Sequence, residues 1–146
     1  MSVLYNKYLF WTAKFAIGFV FIFAGIEKIA EPGLFSDSVA NYKLLPLFAV
    51  NFFAVAIPWI EVISGILLIF DKYVKENAFI FNSLMSLFTI MVLIAVIRGL
   101  DINCGCFGTA EAQKVGFEKI MENLGLIILG LYVYFFSDNS SIQPKQ

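Results

Sequence analysis

Four long apolar stretches constrain the fold of this chain more than any other feature of its sequence. They run over residues 8–26, 47–70, 78–97 and 117–137, and charged or turn-forming residues collect between them. A helix needs about 20 residues to cross the hydrocarbon core of a bilayer. We therefore predict an all-α integral membrane protein, a four-helix bundle in which residues 1–146 form a single transmembrane domain.

The fourth stretch begins less clearly in the sequence than the other three. Its uninterrupted apolar part, residues 123–137, would cover only about 22 Å at 1.5 Å per residue. We therefore expect the helix to begin earlier, near Phe117. That start brings Glu118, Lys119 and Glu122 to the membrane interface.

Composition supports the membrane assignment and excludes several kinds of site. Hydrophobic residues make up 60% of the chain and charged residues 14%, against about 25% charged in a soluble domain, so lipid is an expected partner. The net charge of -1 and the lack of a basic cluster give no indication of nucleic-acid binding. With no histidine and two cysteines, neither a haem nor a metal site is expected.

The topology follows from the number of spans. We expect the first stretch to stay as a span rather than be cleaved as a signal peptide, because Lys14 interrupts it and no clear cleavage site follows. Four spans place both termini on one side and the loops 27–46 and 98–119 on the other. Lysines and arginines occur on both sides, so the positive-inside rule does not orient the chain.

The closely spaced thiols Cys104 and Cys106 are the one clearly reactive feature, and they follow the third stretch directly. Gly105 between them permits a tight backbone turn. A disulfide between residues i and i+2 forms only with local strain, and strain makes such a bond easier to reduce. The pattern favours a disulfide that is exchanged during turnover. Two inert thiols and a static disulfide are the alternatives.

Glu61 lies midway along the second span, three residues after Pro58. A charged carboxylate at membrane depth is costly unless paired, so Glu61 should face the bundle interior. One interpretation is an ion pair with Lys14 or Lys28 that fixes helix register. The other is a functional carboxylate that relays a proton or, with Trp59, lies near a quinone-like ring. The third span offers further polar partners: Asn82, Ser86 and Thr89.

Four segments carry a family resemblance: 23–28 (FAGIEK), 42–46 (YKLLP), 58–61 (PWIE) and 103–108 (NCGCFG). In that order they resemble the MauE/DoxX family of four-helix redox-associated membrane proteins, over roughly residues 10–135. The architecture of this family is similar to the four-helix bundles of VKOR and DsbB, which pass electrons from thiols to quinone.

The resemblance implies a bacterial cytoplasmic membrane protein with cytoplasmic termini. It also implies that Cys104 and Cys106 lie on the extracytoplasmic side and exchange electrons with a thioredoxin-like partner, with quinone as a candidate cofactor. VKOR and DsbB use two cysteine pairs, whereas this chain has one. Either the pair reacts directly with both partner and quinone, or electrons pass only between protein thiols.

The leading hypothesis is therefore a membrane thiol–disulfide oxidoreductase in which a partner thiolate attacks Cys104 or Cys106. Lys28 and Asp101 would tune the thiolate pKa, with Glu27 as a further supporting residue; the direction of electron flow is left open. The alternative is a non-catalytic scaffold or assembly subunit of a redox complex with a static disulfide. A small-solute channel or transporter is less favoured, because no inverted repeat is evident. Small bundles often associate, so a homo-oligomer is compatible with the sequence.

Overall fold

The computed structural model describes residues 6–99 and 116–141, and for the last three of these only the backbone. These residues form five helices and no strand. Four of the helices are long and apolar enough to cross a membrane. The predicted all-α membrane bundle is confirmed. The helices are α1 (Lys7–Ala30), α2 (Pro32–Asn41), α3 (Leu47–Ile69), α4 (Val74–Ile97) and α5 (Phe117–Ser141).

Residues 27–46, predicted as the loop between the first two spans, do connect them but are largely helical, because α1 extends into this segment and the short helix α2 follows. Helix α1 continues to Ala30, and α2 begins immediately after Glu31. Pro32 separates the two helices because it lacks a backbone N–H, and its fixed φ suits the first position of a helix. Phe35 and Val39, one turn apart, are both buried. Tertiary burial thus stabilises a segment whose glycine, serine, aspartate and asparagine content predicts a loop.

Close packing of α1 against α3 depends on glycine. A Cβ on Gly65 would lie 2.7 Å from the backbone oxygen of Gly18, and one on Gly25 would lie 2.8 Å from the backbone oxygen of Pro58. Small residues let helix backbones approach closely in membranes. The two helices run antiparallel, and their approach sets the distance that a side chain must reach from one to the other.

Helices α4 and α5 form the second antiparallel pair. Near the N-terminal end of α4 and the C-terminal end of α5, Lys75 Nζ lies 2.8 Å from Asp138 Oδ2. Farther along the pair, Gly130 lies against the ring of Phe81. Phe81 also packs on Phe21 of α1, with ring centroids 4.6 Å apart, which joins the two helix pairs. The C-terminal ends of α1 and α4 and the N-terminal ends of α3 and α5 therefore lie at one end of the bundle. We call this the α2 end.

Candidate functional site: a buried ion pair beside an apolar cavity

The centre of the candidate site is an ion pair between Lys28 and Glu61. Their side chains are 1% and 0% exposed. Lys28 Nζ donates hydrogen bonds to both carboxylate oxygens of Glu61, at 2.8 Å to Oε1 and 3.0 Å to Oε2. Mutual neutralisation with two hydrogen bonds is what allows both groups to lie in an apolar interior.

Two phenylalanine rings also lie close to the Lys28 ammonium. Its Nζ lies 5.0 Å from the ring centroid of Phe35 on α2 and 5.0 Å from that of Phe88 on α4. A cation this close to aromatic faces is attracted by their quadrupoles, and more strongly where water is excluded. Helices α1, α2, α3 and α4 thus each contribute one side chain to a single cluster.

The structure shows which of the two predicted lysines, Lys14 or Lys28, pairs with Glu61. Lys14 forms its own ion pair with Asp71, near the opposite end of the bundle, and its Nζ lies 4.2 Å from the ring centroid of Trp11. Glu61 forms its ion pair with Lys28. Two members of the polar stripe on α4 instead donate to carbonyl groups of their own helix: Asn82 to Ala78 and Thr89 to Met85.

Of the other predicted site residues, the structure describes Trp59 and Glu27. Trp59 is 55% exposed and, two residues before Glu61, lies about 200° around the helix from it. Glu27 has one carboxylate oxygen, Oε2, buried without a hydrogen-bond partner in the described part of the chain. Asp101 and the thiols Cys104 and Cys106 lie outside the residues that the structure describes, so their roles stay predictions.

An apolar cavity of about 210 Å³ lies under α2, between the 42–46 connector, α3 and α4. The sequence does not reveal this cavity, because side chains distant in sequence form it. Phe88 is shared between this cavity and the Lys28 cluster, so the cavity and the ion pair are adjacent. Its lining is entirely apolar: Val39, Leu44, Leu45, Phe53, Ile57, Leu87, Phe88 and Met91.

Tyr42 closes the C-terminal end of α2 and is the first residue of the 42–46 connector, whose Leu44 and Leu45 line the cavity. Its side chain is buried, and burial raises its pKa from the ordinary value of 10.0 to about 12. A neutral phenol is therefore held there across the physiological pH range.

Comparison with known proteins places this bundle in a family. The family described as methylamine utilisation protein MauE matches residues 6–136. The chain belongs to the MauE family. This result confirms the MauE-like resemblance seen in the sequence, and the match spans Lys28, Glu61 and both cysteines.

Individual relatives support the same assignment. The chain is 32% identical to the MauE protein of Methylophilus methylotrophus over 83% of its own length and 65% of the relative, and 27% identical to that of Paracoccus denitrificans over 84% and 67%. Protein TlpB of Flavobacterium psychrophilum is 25% identical over 92% of this chain and 39% of the relative. The chain thus spans about two thirds or less of these relatives. No solved structure matches it.

Proposed function

We propose that this MauE family member is a membrane thiol–disulfide oxidoreductase in which Cys104 and Cys106 exchange electrons with an extracytoplasmic thioredoxin-like protein. The observation that carries the proposal is the Cys-Gly-Cys run within the segment that joins α4 to α5. Both helix ends that bracket this segment belong to the α2 end of the bundle, where the buried ion pair and the cavity also lie. The proposed thiol exchange would therefore take place at the same end of the molecule as the ion pair and the cavity.

The exchange step balances without any group beyond the two proteins. A thiolate of the reduced partner attacks one sulfur of the Cys104–Cys106 disulfide and forms a mixed disulfide. The second partner thiolate then attacks that bond and releases oxidised partner. The partner loses two electrons and two protons, and the Cys104–Cys106 pair gains both.

Turnover requires the reduced pair to pass its two electrons on. The chain has no second cysteine pair and no histidine, so an internal relay like that of a two-pair enzyme is excluded. In the described ranges, no group of three or more acidic, cysteine or histidine residues is arranged to hold a metal. We propose a lipid-soluble quinone as the acceptor, supplied by the membrane in which the four helices reside.

Trapping experiments test the exchange directly. Cys104→Ala and Cys106→Ala each leave one thiol, which we expect to hold a thioredoxin-like partner as a mixed disulfide after acid quenching and thiol blocking. The double variant Cys104→Ala/Cys106→Ala is the matched control and should capture nothing. If neither single variant captures such a partner while both still assemble in the membrane, thiol–disulfide exchange is excluded as the function of this chain.

Sidedness has its own test, because the two cysteines are the only ones in the chain. The proposal puts the thiols outside a bacterial cytoplasmic membrane and both termini inside. After mild reduction, a membrane-impermeant maleimide should label whole cells that make the protein, and the double cysteine variant should remain unlabelled. Labelling only after membrane permeabilisation would place the thiols on the cytoplasmic side and contradict this topology.

The rival function is a scaffold with a static disulfide. The observation in its favour is the mutual satisfaction of Lys28 and Glu61, which is what a purely structural ion pair also requires. The reduction potential of the cysteine pair separates the two functions. A value below about −300 mV is typical of a structural disulfide, whereas a higher value supports exchange.

A further inference from the structure

We propose that the outer face of α4 and α5 is a contact surface for a second copy of this chain, which packs its own α4 against it in the bilayer. This inference goes beyond the thiol exchange proposed above and does not depend on it. The surface is a groove of about 390 Å³ between the two helices. The side chains that line it are Phe79, Asn82, Ser83, Ser86, Leu131 and Tyr134.

The polar part of this groove lies near the centre of the bilayer. Helix α4 runs from Val74 to Ile97, so Ser83 and Ser86 lie within about 4 Å of its midpoint at 1.5 Å per residue. Ser83 is exposed and Ser86 is half-buried. Polar side chains that face lipid at this depth find no water, and serine and asparagine in spans typically lie at contacts between helices. We therefore expect a membrane-spanning helix, rather than lipid, to cover the groove.

Asn82 shows that the groove lacks a hydrogen-bond donor. Its side chain is 9% exposed, and its Nδ2 donates to the Ala78 carbonyl at 2.9 Å. Its Oδ1 is buried without a hydrogen-bond partner among the residues that the structure describes. The nearby Ser83 hydroxyl donates to the Phe79 carbonyl instead, at 2.8 Å. A buried acceptor without a donor costs free energy, and a hydroxyl on an approaching helix would remove that cost.

The lipid-facing side of α4 also has the spacing of a helix-pairing seam. Six exposed or half-buried residues follow one another in alternating steps of four and three: Phe79, Ser83, Ser86, Ile90, Leu93 and Ile97. At this heptad spacing two helices insert side chains into each other's holes, at a small left-handed crossing angle. The two serines are small, so the helix backbones come close where the seam is polar.

A second copy matches this seam in depth without any further adjustment. Two copies inserted in the same direction are related by a twofold axis along the membrane normal, which makes their contact self-complementary. Each polar residue of one α4 then lies at the same level as its counterpart. The Ser86 hydroxyl of either copy can donate, whereas the Ser83 oxygen and Asn82 Oδ1 are left to accept. One kind of surface thus supplies both donors and acceptors.

Disulfide cross-linking in phosphatidylcholine vesicles tests this contact. Ile90→Cys on the seam and Ile63→Cys on α3 each place one thiol on a lipid-facing helix surface, and the two isoleucines are 55% and 54% exposed. Both variants carry the Cys104→Ala/Cys106→Ala background, so the result does not depend on thiol exchange. A twofold contact brings the two copies of position 90 together. Oxidation with copper phenanthroline should therefore join Ile90→Cys into a dimer and leave Ile63→Cys monomeric.

Several outcomes of the cross-linking would overturn the proposal. Equal yields for the two variants would indicate random collision, and a dimer confined to Ile63→Cys would place the contact on α3. Absence of a dimer for Ile90→Cys, Ser86→Cys and Leu93→Cys alike would show that the seam is unpaired. In native membranes, a product whose mass is not twice that of the chain would show that another membrane protein covers the groove.

The hydroxyl groups have a separate test, in which single-molecule photobleaching measures the association constant as the protein is diluted in lipid. Ser83→Ala/Ser86→Ala keeps the seam small but removes its hydroxyls, so association should weaken about tenfold. Thr12→Ala on α1 is the matched control, because Thr12 is also exposed and donates to the carbonyl four residues back, at 2.8 Å. The control should associate like the wild type. An unchanged association constant for the double serine variant would exclude a polar contact at this groove.

Discussion

The Lys28 ammonium on α1 donates two hydrogen bonds to the Glu61 carboxylate on α3, at 2.8 and 3.0 Å, with both side chains fully buried. The two residues are 33 positions apart in sequence. Their pairing depends on the antiparallel approach of two helices, and it also fixes the ammonium beside Phe35 and Phe88. One contact therefore links helix register, the position of α2 and the wall of the cavity.

Removing one member of this ion pair should destabilise the bundle more than removing both. Lys28→Met leaves the Glu61 carboxylate buried without its partner, which costs about 3–5 kcal/mol. The double variant Lys28→Met/Glu61→Leu buries no charge, so we expect it to recover most of the loss. Thermal unfolding in detergent measures both. A double variant no more stable than Lys28→Met would contradict this account of the pair.

The close approach of α1 and α3 should not tolerate a methyl group at Gly65. A Cβ there would lie 2.7 Å from the Gly18 oxygen, and separating the helices should cost about 1–3 kcal/mol. Gly125→Ala on α5 is the matched control, because no atom lies within 4 Å of its Cβ position. The control should unfold at or slightly above the wild-type temperature. Equal melting temperatures for the two variants would refute the close packing.

Attachment of α2 should depend on Phe35. Its side chain is fully buried over Lys28, and its ring centroid lies 6.3 Å from that of Phe88, so Phe35→Ala should cost about 3–5 kcal/mol of packing. We expect faster hydrogen exchange confined to residues 32–45. Leu34→Ala, on the exposed face of the same helix, should leave exchange unchanged. Protection that is lost equally in both variants would mean that α2 is not held by this ring.

Tyr42 should make the protein less stable in alkali. Burial raises its pKa from 10.0 to about 12 in the folded protein, so between these values the unfolded chain releases the phenolic proton while the folded chain keeps it. Stability is therefore complete below pH 10 and falls as pH rises toward 12, by about 2–3 kcal/mol in total. The melting temperature of Tyr42→Phe should fall less over this range. Parallel pH curves for the two proteins would exclude this titration.

Much of the architecture was predictable because the thickness of the bilayer sets the minimum length of the apolar run in each span. A span needs a long run of apolar residues, and the sequence shows such runs at the positions of α1, α3, α4 and α5. Helix α2 was missed because its stability comes from burying Phe35 and Val39 against other helices, not from its own propensity. Burial of Glu61 was likewise predictable, since a carboxylate at membrane depth must avoid lipid.

The sequence by itself determined that this is a membrane helical bundle with one carboxylate inside the second span and a single, closely spaced thiol pair. Hydropathy and residue type are local properties, and those conclusions need nothing more. Only the tertiary structure decided that Glu61 pairs with Lys28 and not with Lys14, that Trp59 faces outward, and that Phe88 stands between the ion pair and an apolar cavity. These facts depend on the rotation and register of packed helices, which arise from contacts among residues far apart in the chain.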